Sequence, residues 1–320
     1  MINAPAPSNP RPISAYGHLA VVYIVWGSTY FAVKICLTGP ADITAIQLQA
    51  VRMACAALLL GAITLVASGS PGRLTWRDIL LCAVTGVLMW VLGNGLLTYI
   101  APYAASSFIV MAMGIIPLCA AGLQCLFTRT RPTGRVVFAL LLGLAGLVCV
   151  MGPAVLARGE AVIVPGHEVL VLVCLLVAAL TWALGTILQK PVSRRMNVGW
   201  SATFQMASAA VVLLGLATAQ GHAVSGAPSA GQVTAFLFLV LMGSVLSLTS
   251  FVAVVKHFTP VVASTVAYVN PLVGMLLGSL ALNEHISPVS LLGLAIVMTS
   301  LALVMRPARP VPGSVAPPRP

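Results

Sequence analysis

The chain has 320 residues, of which 60% are hydrophobic and only 7% charged. A soluble domain carries about 25% charged side chains to keep its surface hydrated, which excludes a water-soluble globular protein, a secreted disulfide scaffold and a disordered chain. The net charge of +11 does not mark a nucleic-acid binder, because the cations fall singly or in twos and threes between apolar runs, not on one face with aromatic residues between them.

Residues 1–16, MINAPAPSNPRPISAY, are polar and proline-rich. The apolar run that follows is too long for the core of a signal peptide and ends without a small-residue cleavage site, so it reads as a retained helix. Ten spans are predicted, at 17–38, 42–68, 76–99, 103–127, 133–152, 168–189, 197–219, 231–255, 259–281 and 288–305. Each is mostly apolar and long enough to cross about 30 Å of hydrocarbon. Residues 153–167 connect the fifth span to the sixth, and 306–320, RPARPVPGSVAPPRP, form a proline-rich basic tail. With alternate connections taken as one side, thirteen of the sixteen Lys and Arg fall on that side and only Arg158 on the other. The positive-inside rule then places both termini in the cytoplasm. Lys34 and Arg52 remain within spans. Cys36, Cys55, Cys82, Cys119, Cys125, Cys149 and Cys174 all lie in apolar runs. An odd number without a CxxC pair reads as small buried hydrophobes.

The spans repeat. Span one carries WGSTYFAVK, with Trp26 eight residues before Lys34, and span six carries WALGTILQK, with Trp182 eight residues before Lys190. Spans four and nine each have a proline in mid-span, Pro117 in MGIIPL and Pro271 in YVNPLV. Spans five and ten share Gly-Leu-Ala, at Gly143–Ala145 and Gly293–Ala295. Matches in one order, five spans apart, indicate two homologous halves, 17–152 and 168–305. A unit with an odd number of spans must be followed by a copy threaded in the opposite direction. The expected fold is therefore an all-α integral membrane protein of ten transmembrane helices arranged as two inverted five-helix repeats. That plan recurs in secondary transporters, with the substrate site near the midplane where the halves meet.

WGSTY in span one, AVRMACAALLLG in span two, VLGNGLLTY in span three, TWALGT in span six and the stretch from GSVLSLTS to LNEHIS over spans eight and nine resemble the EamA-domain branch of the drug/metabolite transporter superfamily. The resemblance implies a ten-helix carrier of the inner membrane, of a kind that often exports amino acids, other metabolites or drugs. Two departures stand out. The first half ends span four in LFTRTR, where LNEH in the second half approximates the family's LxGE ending. Span seven reads TFQMA, with Gln205 where similar sequences often place a glutamate.

All five carboxylates, Asp42, Asp78, Glu160, Glu168 and Glu284, fall at span ends or in loops, as do all five histidines. No buried carboxylate is on offer for proton coupling. No acid/base pair, metal cluster or activated nucleophile is legible either, so the reading is not an enzyme, with no metal and no cofactor. Arg52 lies ten residues into its span, about 15 Å deep. An arginine there costs about 2.5–3.5 kcal/mol on insertion scales and must find acceptors. It reads either as a structural lock, bonded to carbonyls or to Gln47 and Gln49, or as a clamp for a substrate carboxylate. Lys34 is placed to snorkel toward the outer headgroups and Lys190 to anchor the cytoplasmic end of span six.

Mid-depth aromatic and amide groups suit a pocket for a small amphiphile. The candidate binding residues are Trp26, Ser28, Thr29, Arg52, Trp90, Asn94, Trp182, Gln205, Tyr268 and Asn270. Gly93, Gly95, Pro117 and Pro271 are candidate hinges, since proline removes a helical hydrogen bond and glycine admits close approach. The GxxxG spacing of Gly274 and Gly278 in GMLLG fits close helix contact within one chain, and a homodimer is its other use. The expected function is export of a small, amino-acid-like metabolite across the inner membrane by alternating access. The alternatives are multidrug efflux and a membrane scaffold or sensor that transports nothing. The expected partners are a small-molecule substrate and the lipid bilayer, with no nucleic acid.

Overall fold

The computed structural model of the chain describes residues 12–100, 103–104, 106–129, 131–156, 163–282 and 287–306, without the side chains of 30, 34, 106–107, 154–156, 275 and 277–282. The spans form α1 (Ile13–Thr38), α2 (Ala45–Ser68), α3 (Trp76–Tyr99), α4 (Ser106–Ala112 continuing through Ile116–Thr128), α5 (Gly134–Leu156), α6 (Glu168–Arg195), α7 (Val198–Gln220), α8 (Ala230–His257), α9 (Pro260–Ser264 and Val266–Leu282) and α10 (Pro288–Met305). Nine of these are long and apolar enough to cross a membrane, and α9 supplies the tenth apolar helix over Pro260–Gly274.

Helix starts follow the local sequence. Thr44, Thr75 and Ser229 begin α2, α3 and α8, each paired with a residue three positions on (Gln47, Asp78 and Gln232) in a capping box. Each box satisfies two backbone N–H groups that a helix start leaves orphaned. Pro12 sets the entry to α1, so the helix begins at Ile13, four residues before the sequence-based boundary. At the other end, α6 runs through Pro191 to Arg195, six residues past the expected limit.

Four spans are not plain α-helix. Residues Val87–Gly95 of α3 and Leu239–Leu246 of α8 are wound as π-helix, so the third helix of each half carries the same wide turn. In α8 the wide turn is tied by Ser244 Oγ donating to Leu239 O (3.0 Å) and Ser247 Oγ to Met242 O (2.8 Å). In α4, a 3-10 turn at Met113–Ile115 precedes Pro117. Pro117 cannot donate to Met113 O, and Ile116 N–H takes that carbonyl instead. α9 breaks at Thr265, whose hydroxyl donates to Val262 O (2.6 Å) and pairs with the Tyr23 hydroxyl (2.7 Å).

Helix pairing follows the repeat. α2 packs on its counterpart α7 and α5 on its counterpart α10, while α1 with α8 mirrors α6 with α3, and α1 with α9 mirrors α6 with α4. The second and seventh helices also align residue by residue, RMACAALLL from Arg52 against QMASAAVVL from Gln205. α5 and α10 meet backbone to backbone at Gly146 and Gly293. Ser290 Oγ donates to Val150 O (3.0 Å) and Ser300 Oγ to Ala139 O (2.6 Å) across the same seam. Close approach through small residues is how helices associate where lipid offers no hydrophobic drive.

On the molecular face that carries the start of α1 and the end of α10, side chains link neighbouring helix ends. Tyr16 meets Phe258 edge to face (5.3 Å between centroids) and His18 Nδ1 bonds Ser250 Oγ (3.1 Å). Lys190 Nζ donates to Phe258 O at the end of α8, so this lysine, expected to be only a topology anchor at the cytoplasmic end of span six, also caps a neighbouring helix. Asp78 pairs with Arg195 (2.9 Å) between α3 and α6. The seven cysteines are free thiols.

Candidate functional site: an aromatic cage between the halves

The two WxxxxxxxK helices, α1 and α6, bring Trp26 and Trp182 into edge-to-face contact, 5.6 Å between ring centroids. Trp90, from the π segment of α3, completes a triangle at 6.0 Å from Trp26 and 5.8 Å from Trp182. Phe251 of α8 closes the group at 5.0 Å from Trp26. Four rings from four helices of both halves thus share one place, the three indoles edge to face as their quadrupoles favour and Phe251 tilted against Trp26 and Trp182. Trp26 Nε1 donates to Gly243 O (3.0 Å) in the π segment of α8. The indole N–H groups of Trp90 and Trp182 are buried and have no hydrogen-bond partner among the described residues.

Arg52 of α2 reaches the same place. It is 4% exposed. Its Nε donates to Ser244 Oγ (2.8 Å), and its guanidinium carbon lies 5.8 Å from the centroid of the Trp90 ring, within cation–π range. The acceptor is therefore a hydroxyl of α8, not the amides of Gln47 or Gln49. Gln47 is committed to the Thr44 capping box, and Gln49 Nε2 donates to Asn94 Oδ1. Asn94 stands one turn beyond Trp90 and Gln49 one turn before Arg52, so the amide pair lies one turn from the arginine and its ring along the same two helices. Gly243 has no room for a side chain, because a Cβ there would lie 2.9 Å from Thr29 Cγ2 and 3.0 Å from Arg52 Nη2. Gly93 lies against Trp182, whose Cε3 would be 3.1 Å from an added Cβ. Gly95 has only its own helix nearby, with Trp90 O at 3.5 Å.

Other expected residues are used differently. Ser28 and Thr29 donate to carbonyls of their own helix, at Ile24, Val25 and Trp26. Tyr268 is fully buried away from the cage, its hydroxyl donating to Leu140 O (2.8 Å) and its ring filling the space over Gly143. The glycine of the Gly-Leu-Ala motif thus makes room for a tyrosine from α9. Gln205 lies buried between α7 and α3, its Nε2 on Ser201 Oγ (3.3 Å) and its Oε1 unpartnered. Asn270 Oδ1 is likewise buried and unpartnered, while the Asn270 carbonyl lies against Gly27 of α1. Pro117 and Pro271 are buried at the 3-10 turn of α4 and within α9. The side chain of Lys34, and Glu160 and Glu284, lie outside the described residues.

Two participants, Phe251 and Ser244, were not among the expected residues. Phe251 reads as one more apolar residue in a run, and Ser244 as one more small one. Gln189, buried two turns below Trp182 on α6 with neither amide atom partnered, carried a legible signal as a polar residue within a span.

The role of Tyr268 is testable. Tyr268→Phe removes one buried hydrogen bond, which should lower stability by about 1 kcal/mol and leave transport intact. Thermal melting of the purified variant, measured beside its uptake rate, separates this from a binding role, which would cost uptake first.

An inverted pair of five-helix units with a polar-edged cage at their junction defines a membrane transporter of the two-repeat class. Comparison with known proteins agrees. The profile of the EamA-like transporter family matches residues 14–152 and again 169–306, and the chain belongs to that family. It is similar to the uncharacterized inner membrane transporter YedA of Escherichia coli K12, 28% identical over 92% of this chain and 94% of YedA. An uncharacterized transporter of Clostridium kluyveri is 22% identical over 71% of this chain and 72% of its own. A solved crystal structure, 17% identical, superposes with a TM-score of 0.76 over 91% of this chain and 96% of that one. At that identity it shows the fold alone.

Proposed function

We propose that this transporter is a secondary carrier of the inner membrane that moves a small metabolite by alternating access, with the cage of Trp26, Trp90, Trp182 and Phe251 as its binding place. The observation that carries the reading is the convergence of those rings, Arg52 and Asn94 from helices of both halves. Rocking of residues 17–152 against 168–305 would expose the cage first to one side and then to the other. The excess of Lys and Arg on alternate connections supports a cytoplasmic position for both termini and for the face where Tyr16 meets Phe258. Export is the direction favoured by the family resemblance. Multidrug efflux of cations is the weaker alternative, because a buried guanidinium opposes a cationic guest at the same place.

The test is substrate counterflow in proteoliposomes with the purified chain, using labelled amino acids and other small metabolites. Asn94→Leu takes the acceptor from Gln49 Nε2, so it should lower stability by about 1–3 kcal/mol and, in the folded protein, lower uptake by about tenfold or more. Uptake at the wild-type rate from a correctly inserted Asn94→Leu protein would remove the cage from the transport path.

A further inference from the structure

The cage holds a positive charge with no negative partner among the described residues. Arg52 is almost completely buried, and the hydrogen bond it makes among the described residues runs from Nε to Ser244 Oγ, leaving the terminal nitrogens to face the cage. The described carboxylates stand elsewhere. Asp42 pairs with His222, Asp78 with Arg195, and Glu168 begins α6. A buried charge is normally paired, since removing it from water is costly. We propose that the missing partner arrives with the cargo: Arg52 is the receptor for an anionic group, a carboxylate on a substrate with an apolar or aromatic body. This rests on the carrier reading above and names its substrate class.

Three observations converge on this assignment. First, the other unused polar hydrogens at the cage are donors too, the indole N–H groups of Trp90 and Trp182. A guanidinium fork with two indole donors nearby suits carboxylate oxygens. Second, the repeat contains its own comparison. Arg52 in RMACAALLL corresponds to Gln205 in QMASAAVVL, and the two helices pack on each other. A neutral amide at the corresponding place in α7 shows that the repeat plan itself does not call for a charge at this position. Third, the rings of Trp26, Trp182 and Phe251 provide apolar walls beside the guanidinium, while Gln49 Oε1, one turn from Arg52, is buried and unpartnered. That oxygen is free to accept from an ammonium or hydroxyl on the same guest, so zwitterionic amino acids fall within the class.

The experiment compares acids with their neutral amides in the full-length protein. Phenylalanine against phenylalaninamide, leucine against leucinamide, and phenylacetate against phenylacetamide are offered at pH 7. Binding is read by thermal stabilisation in detergent, and transport by inhibition of counterflow in proteoliposomes. In the wild type, at least one acid should bind about tenfold tighter than its amide, the contrast that a charge-assisted hydrogen bond supplies. Arg52→Gln, which copies the other half, should erase that contrast, and Arg52→Lys should keep part of it. The acid–amide comparison in the wild type needs no variant to fold. A guest carried equally well as acid and amide would overturn the anion receptor while leaving the carrier standing. A contrast unchanged in Arg52→Gln would move the receptor elsewhere. Absence of binding and counterflow by every compound, with wild-type protein shown to be folded, would overturn carrier and receptor together.

Discussion

Gly293→Val is expected to uncouple α10 from α5 and to be strongly destabilising. A Cβ at this position would lie 2.6 Å from Gly146 O and 2.6 Å from Val150 N. Both are backbone atoms of a continuous helix, so no rotamer can move them aside. Relief requires the helices to separate, which also lengthens the bonds from Ser290 to Val150 O and from Ser300 to Ala139 O. Overpacking a tight contact costs about 1–3 kcal/mol and sometimes more, and the loss of two buried hydrogen bonds adds about 1 kcal/mol each. The expected result is a loss of several kcal/mol, seen as a lower melting temperature and a broadened size-exclusion peak in detergent. Gly215→Ala, on a helix surface with no heavy atom within 4 Å, serves as the control and should melt like the wild type. If Gly293→Val also melts like the wild type, the seam between α5 and α10 is looser than described.

Trp26→Ala carries the largest expected functional effect. Trp26 touches Trp90, Trp182 and Phe251, and its N–H holds Gly243 O. Its removal leaves a hole where four helices meet and frees a carbonyl of the π segment. Truncation of a buried tryptophan costs about 3–5 kcal/mol, so both melting temperature and uptake should fall. Trp26→Phe separates the two effects, since it keeps a ring in the cage but loses the bond to Gly243. Its expected signature is modest destabilisation with uptake reduced by about tenfold, a loss near 1.4 kcal/mol of binding or barrier energy. Full uptake by Trp26→Phe would show that the bond across the halves is dispensable.

The spans were legible in the sequence because hydropathy is a local property, and a stretch such as Leu172–Leu180 has few alternatives to a helix in lipid. The pairing of Trp26 with Trp182 was legible only indirectly, through two tryptophans set at one distance from two lysines. What sequence patterning could not supply was direction around a helix. Tyr268 and Asn270 differ by two positions, yet one faces α5 and the other leaves an oxygen buried and unpartnered. The π segments displace the residues after them from the 3.6-residue period, so Asn94 could not be phased against Trp90 by counting. Phe251 was invisible for the opposite reason, as an apolar side chain among apolar neighbours. The break in α9 at Thr265 also has no proline or glycine at the site to announce it.

Those wide turns have a mechanical meaning. A π turn holds one residue more than the α turn it replaces, so its conversion to α-helix would pass that residue along the rod. Everything beyond it would then turn by about 100° and advance about 1.5 Å. In α3 the section affected begins at Leu96 and includes Tyr99, now 49% exposed. α8 holds the same reserve in the opposite half, next to the carbonyl that Trp26 grips. Each half therefore contains one residue of slack at the wall of the cage, and single-residue deletions within Val87–Gly95 or Leu239–Leu246 amount to changes of helical phase, with consequences that extend to the end of the rod.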